Sequence, residues 1–93
     1  MNDKVTLLFV SFHSEKKILN YLNELNNKFK VIVIDNANDF SLKEKLQKFS
    51  NLKLITNKEN IGFGAATNLG LEKVETKYAL HLDIDTKIES NSL

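Results

Sequence analysis

Val5-Thr6-Leu7-Leu8-Phe9-Val10 is apolar apart from one threonine and carries β-branched residues at both ends. A run without polar alternation reads as a strand buried on both faces, the kind found in parallel sheets. Val31-Ile32-Val33-Ile34 repeats the signature. Between the two, Ile18, Leu22, Leu25 and Phe29 fall at spacings of four, three and four, which is one helix face. Ser14 is the expected N-cap of a helix over about 15–28, with Glu15 in its favourable first turn.

The same alternation continues to the end of the chain. Asp35-Asn36-Ala37-Asn38-Asp39 is a run of turn formers. Ser41 is the expected cap of a second helix, where Leu42, Leu46 and Phe49 repeat at helical spacing. Leu52-Lys53-Leu54-Ile55-Thr56 reads as a third strand, partly alternating as befits an edge. Asn57 to Asn60 is a loop, and Ile61-Gly62-Phe63-Gly64-Ala65-Ala66-Thr67-Asn68-Leu69-Gly70-Leu71 leads into a third helix ending near Val74. The small residues of that helix suit close packing on a sheet. Tyr78 to Asp83 reads as a fourth strand, and Ser90-Asn91-Ser92 resembles the cap of a further helix.

The pattern is β-α-β-α-β-α-β with short connections. It predicts a three-layer α/β/α, Rossmann-like fold over a mainly parallel four-stranded sheet in the order 3-2-1-4. Residues 1–93 form one small domain. In such sheets ligands bind beyond the carboxyl ends of the strands, where strand order reverses. That crevice lies between the first and fourth strands. It gathers Ser11 to Ser14, Asp35-Asn36 and Asp83-Ile84-Asp85, with the start of the third helix on the same rim.

Composition narrows the function classes. The apolar share of 42% is enough for a core. A net charge of +1 makes no electrostatic case for nucleic acid. All 13 basic residues are Lys, so a phosphate must be held by Lys, backbone N–H groups or a metal rather than by a bidentate Arg. The absence of Cys excludes disulfide and thiolate chemistry, and His13 and His81 are too few for a His-rich zinc site. No apolar run is long enough for a transmembrane segment. A cytoplasmic location is expected, with a peripheral position at the inner membrane face open in a longer protein.

Asp83 and Asp85 stand i, i+2 at the end of an apolar run, and in extended geometry both point to one side. Such a pair suits a hard divalent cation. Taken alone, a bare Asp-x-Asp suits a plain strand-ending turn better.

Four blocks in order carry a family resemblance. They are Val10-Ser11-Phe12-His13-Ser14, Val31-Ile32-Val33-Ile34-Asp35-Asn36, Asn60 to Gly70, and Leu82-Asp83-Ile84-Asp85. Together they resemble the family 2 glycosyltransferases, which have the GT-A fold. The third block is the most specific: it is similar to the family's Asn-x-Gly-Phe-(Gly/Ala)-x-(Ala/Gly)-x-Asn-x-Gly signature, in the variant of the rhamnosyltransferase-like branch. The resemblance covers essentially the whole chain, but only the nucleotide-binding half of a complete family member. It implies inverting transfer of a sugar from a nucleotide-diphosphate donor, UDP- or dTDP-linked, to an acceptor hydroxyl. Ser11, Phe12, His13, Asp35, Asn60, Gly62, Asn68 and Asp83 would form the donor side. Asp35 would accept from the base, Asp83 would lie near the ribose or base, and Asp85, with Asp83, would hold Mg²⁺ or Mn²⁺ against the diphosphate.

Each role has a structural competitor. Asp35 suits the closing of its own turn, and Asn60 and Asn68 suit local hydrogen bonding. Gly62 and Gly64 suit backbone geometry, and His81, between two leucines, suits packing in the sheet. The loop Asn36-Ala37-Asn38-Asp39-Phe40 departs from the family's usual Ser/Thr-then-Asp ending. The acceptor half and its general base have no counterpart in these residues, so this chain alone is expected not to glycosylate. The alternative is a stand-alone or degenerate nucleotide-sugar-binding module without catalysis. A dinucleotide-binding domain would need its glycines after the first strand rather than the third. The fourth strand forms an open edge, and a homodimer through it is expected.

Overall fold

The structure is a computed structural model that describes residues 2–82. Its elements run β1 (Asn2–Ser11), α1 (Glu15–Leu25), β2 (Phe29–Asp35), α2 (Phe40–Leu46), β3 (Leu52–Thr56), α3 (Phe63–Glu72) and β4 (Tyr78–His81). All strand pairs are parallel and the order is β3-β2-β1-β4, as the alternation predicts.

The two unbroken apolar runs occupy the centre of the sheet because they have something to bury on each face. Leu7 and Phe9 of β1 lie beside Val31 and Val33 of β2, and these four pack against Ile18, Leu22 and Leu25 of α1 and Leu42 and Leu46 of α2. Leu8, paired with Ile32, turns to the other face with Ile34, where Ala66 of α3 covers them. Gly70 permits this close approach. A Cβ there would overlap the Leu8 side chain and come within 3.2 Å of Ile34 Cγ1.

Several local expectations are corrected. α1 ends at Leu25 rather than near Lys28, because Asn26 and Asn27 take left-handed conformations (φ 50° and 58°) and the Asn26 N–H donates to the Leu22 carbonyl. That turn frees Phe29 to open β2 while its ring still joins the same core. Ser14 precedes α1, but its hydroxyl donates to the Phe12 carbonyl (3.1 Å) and caps nothing. Ser41 lies inside α2. The cap is Asp39, whose Oδ1 accepts from the Leu42 N–H at 3.3 Å. Ser41 instead donates to the Glu15 carboxylate, and Lys45 approaches the same group at 2.9 Å. The Ser41 hydrogen bond first, and Lys45 second, hold the Glu15 carboxyl below its ordinary value. Phe49 falls beyond α2 but packs on the core, and α3 ends at Glu72 rather than near Val74. β4 extends over Tyr78–His81; Asp83, expected to end it, and the cap-like Ser90-Asn91-Ser92 lie outside the described residues.

Candidate functional site

The carboxyl ends of β1, β2 and β3 are tied to one another and to the start of α3. The Asn36 N–H donates to the Ser11 carbonyl (2.8 Å), and the Asn57 N–H donates to the Asp35 carbonyl (2.9 Å). The Asn36 side chain completes the tie. Its Nδ2 donates to the Gly62 carbonyl at 3.2 Å, and its Oδ1 accepts from Asn57 Nδ2 at 2.8 Å. At 3% exposure, Asn36 joins four segments, β1 through its backbone N–H and the Gly62 and Asn57 segments through the two ends of its amide. Sequence reasoning treated Asn36 and Asn57 as turn and loop formers. Their signal was positional: each directly follows a strand, and the predicted order 3-2-1 makes those two strand ends neighbours.

Asp35 is fully buried. Its Oδ1 accepts from the Ala37 N–H at 2.9 Å and its Oδ2 from the Asp39 N–H at 2.8 Å. The loop therefore wraps around this carboxylate, helped by the left-handed Asn38 (φ 51°). Each oxygen keeps a second lone pair, so the group can hold the loop and still accept from a ligand that opens it. Beside Asp35 in register stands Ser11. It is fully buried too, and its Oγ has no hydrogen-bond partner. An orphaned buried hydroxyl is uncommon and asks for an explanation.

Around these buried groups the rim is apolar and exposed. Phe12 is 54% exposed, with its ring edge-on to His13 at 4.7 Å. His13 adopts φ 53°, which turns the chain off the end of β1. Phe63, 60% exposed, opens α3 and lies 5.0 Å from the His81 ring. His81 is half-buried in the sheet, as its position between leucines suggested, and its Nε2 is buried without a partner. Asn60 Oδ1 accepts from the Gly62 N–H (2.8 Å), and Gly62 takes φ 88°, a conformation open to glycine. No side chain caps α3, so the N–H groups of its first turn have no side-chain acceptor at the cap.

The structure thus brings Ser11, Phe12, His13, Asp35 and Gly62 to one rim, with Asn60 shaping the turn into α3. Asn68 stands apart: it is exposed, on the side of α3 away from the buried Ala66 and Gly70. Asp83 and Asp85, named for the donor and the metal, lie outside the described residues. β4 runs parallel to β1, and the Leu82 N–H donates to the Leu8 carbonyl at 3.0 Å. Among the described residues no group of three His, Asp or Glu side chains could hold a metal ion, and no helix is long and apolar enough to cross a membrane.

Comparison with known proteins agrees with this geometry. Residues 6–93 match the family described as Glycosyl transferase family 2. The chain is 34% identical over 96 residues to a dTDP-rhamnosyl transferase, RfbF, of Shigella flexneri; the match covers 97% of this chain and 32% of that protein. It is 29% identical over 100 residues to a teichoic acid poly(glycerol phosphate) polymerase of Staphylococcus epidermidis, covering 98% of this chain and 14% of that one. The chain therefore spans a third or less of the length of these relatives.

Proposed function

The chain belongs to glycosyl transferase family 2, and from that premise we propose that it is the donor-binding half of an enzyme that moves a sugar from a nucleotide diphosphate to an acceptor hydroxyl. The observation that carries the reading is the Asn36 tie. It holds three strand ends and the open start of α3 around a buried, partnerless Ser11 hydroxyl. In this reading Asp35 accepts from the base edge, the Ser11 hydroxyl donates to it or accepts from it, and Phe12 offers a flat apolar face for its ring. The first turn of α3 faces the negative charge of the diphosphate. The relative named a dTDP-rhamnosyl transferase favours a dTDP-linked donor over a UDP-linked one.

Asp85, with Asp83, would hold Mg²⁺ or Mn²⁺, and such an ion supplies charge neutralisation for the departing nucleoside diphosphate. The protein's own part is to bind the nucleotide in a fixed pose, so that the sugar carbon is presented to an acceptor. In this reading the acceptor and its general base are held by the other half of such an enzyme, so turnover of a dTDP-sugar by these 93 residues alone would overturn that division of labour. A second copy pairing along the edge strand β4, where Tyr78 and Leu80 are exposed, is the expected assembly; light scattering that shows only monomer at high concentration would count against it.

Titration with dTDP and UDP, with and without Mg²⁺, followed by amide chemical shifts, tests the site. Shifts at Ser11, Asn36 and Gly62, strengthened by Mg²⁺ and insensitive to Mg²⁺ in Asp85→Asn, are expected. Absence of nucleotide binding under all these conditions refutes the reading.

A further inference from the structure

At the opposite end of the strands, the described residues cover one face of the sheet only in part. α3 packs on Leu8 and Ile34 and reaches no lower. Below it, register places Lys30 beside Thr6, which lies beside Ala79, while Lys53 lies beside Ile32. A parallel sheet normally carries large apolar side chains on both faces. Here that part carries two exposed lysines and an exposed alanine, while Thr6 is buried beneath Thr76, whose Oγ1 lies 2.6 Å from its own.

Thr6, Lys30 and Lys53 line a cavity of about 280 Å³, which Ser50, Asn51 and Lys73 also line. The lysine stems can lie over the Ile32 floor while their ammonium groups reach the mouth. Lys30, Lys53 and Lys73 all belong to this one cavity, so their charges oppose one another. The nearby acid, Glu75, stands 3.9 Å from Lys53 Nζ, and both side chains are largely exposed, so that pair offsets little. Among the described residues Lys30 and Lys73 have no ion pair. Asn51 sharpens the chemistry. Its Nδ2 donates to the Phe29 carbonyl, and its Oδ1 is buried without a donor. A buried acceptor left unmade is costly.

We propose that this cavity is a second binding site, separate from the donor rim, for a small organic phosphate that also bears a free hydroxyl. The lysines meet the phosphate as point charges, and the hydroxyl donates to Asn51 Oδ1. The cavity falls at or below the small end of ligand sites, roughly 300–1,000 Å³, which suits a short ester and not a nucleotide sugar. The phosphate comes either as a soluble ester or as the headgroup of an anionic lipid.

The test uses the whole chain and no nucleotide, so it stands or falls apart from the donor reading. Glycerol 3-phosphate, methyl phosphate and inorganic phosphate are titrated against ¹⁵N-labelled protein, and sedimentation is measured with phosphatidylglycerol and phosphatidylcholine vesicles. Shifts confined to the amides around Lys30, Asn51, Lys53 and Lys73 are expected, with glycerol 3-phosphate ahead of methyl phosphate, which lacks the hydroxyl. Binding to phosphatidylglycerol vesicles without binding to the soluble ester would identify the lipid headgroup as the source. Lys30→Gln/Lys53→Gln should weaken either interaction by about tenfold, whereas Lys43→Gln on α2 leaves it unchanged. Both lysines are exposed, and an unaltered melting temperature confirms that the double variant folds. No binding to ester or vesicle, or binding that survives the double substitution, overturns the proposal.

Discussion

Asn36→Ala tests whether the rim is held by one side chain. The substitution removes the bonds to the Gly62 carbonyl and from Asn57 Nδ2, while the backbone bond from Asn36 to Ser11 survives. Two neutral hydrogen bonds contribute about 0.5–1.5 kcal/mol each, or about 1–3 together. Gly62 is exposed and Asn57 half-buried, so water can reach the abandoned partners, and no full desolvation penalty is added. The expected loss is therefore in the lower half of the range, about 1–2 kcal/mol. In a domain of this size that lowers the melting temperature by roughly 4–8 °C per kcal/mol. Asn36→Asp sharpens the test. A carboxylate still accepts from Asn57 but sets oxygen against the Gly62 carbonyl, and it adds a charge at a 3% exposed position beside the Asp35 carboxylate. Its cost at neutral pH is about 3–5 kcal/mol. Burial raises the new acid's pKa in the folded state, so this deficit relative to wild type shrinks as pH falls and the group protonates. Urea unfolding of the three proteins measures both differences. A loss under about 0.5 kcal/mol for Asn36→Ala, or an aspartate variant no worse than alanine, would refute the reasoning.

Five further substitutions probe the frame that presents the rim. Gly70→Ala should destabilise, since overpacking against Leu8 and Ile34 costs about 1–3 kcal/mol against a helix gain of at most about 1 kcal/mol. Gly64→Ala, with nothing within 4 Å of its new Cβ, should stabilise; a common sign for the two in urea unfolding would contradict the packing account. Asp39→Ala should cost about 1 kcal/mol through loss of the α2 cap, whereas Ser41→Ala, read in the same melts, should cost clearly less. Glu15→Gln reports on pH. The Glu15 carboxyl is lowered from 4.5, so its contribution is fully present above that pH and fades as pH falls through the lowered value. The gap in melting temperature between wild type and Glu15→Gln should close in acid, and a gap that widens there would contradict the assignment.

The sheet was legible because its two central strands have no polar alternation: only burial on both faces uses such runs, and that burial requires the crossover helices. The helix caps were misread for one reason. Ser14 and Ser41 satisfy the residue preference of a cap, but preference does not say which nearby acceptor a hydroxyl takes. Ser14 turned back to the Phe12 carbonyl, and Ser41 found the Glu15 carboxylate across the helix pair. Tertiary neighbours decided both, and a local reading has no access to them.

The same limit explains the division of work at the end of β2. Asp35 and Asn36 are adjacent, and both looked like turn residues. Successive strand residues face opposite sides of the sheet, however, and so meet different neighbours. Asp35 points to the α1 and α2 side beside Ser11 and gathers the N–H groups of its own loop. Asn36 reaches the other way, to Gly62 and Asn57, and locks α3 to the sheet. A carboxylate in the second place would have no donor for the Gly62 carbonyl, and an amide in the first could not accept with both of its ends. The order Asp-Asn, rather than its reverse, is what allows one strand end both to fold its own loop and to anchor the helix that faces it.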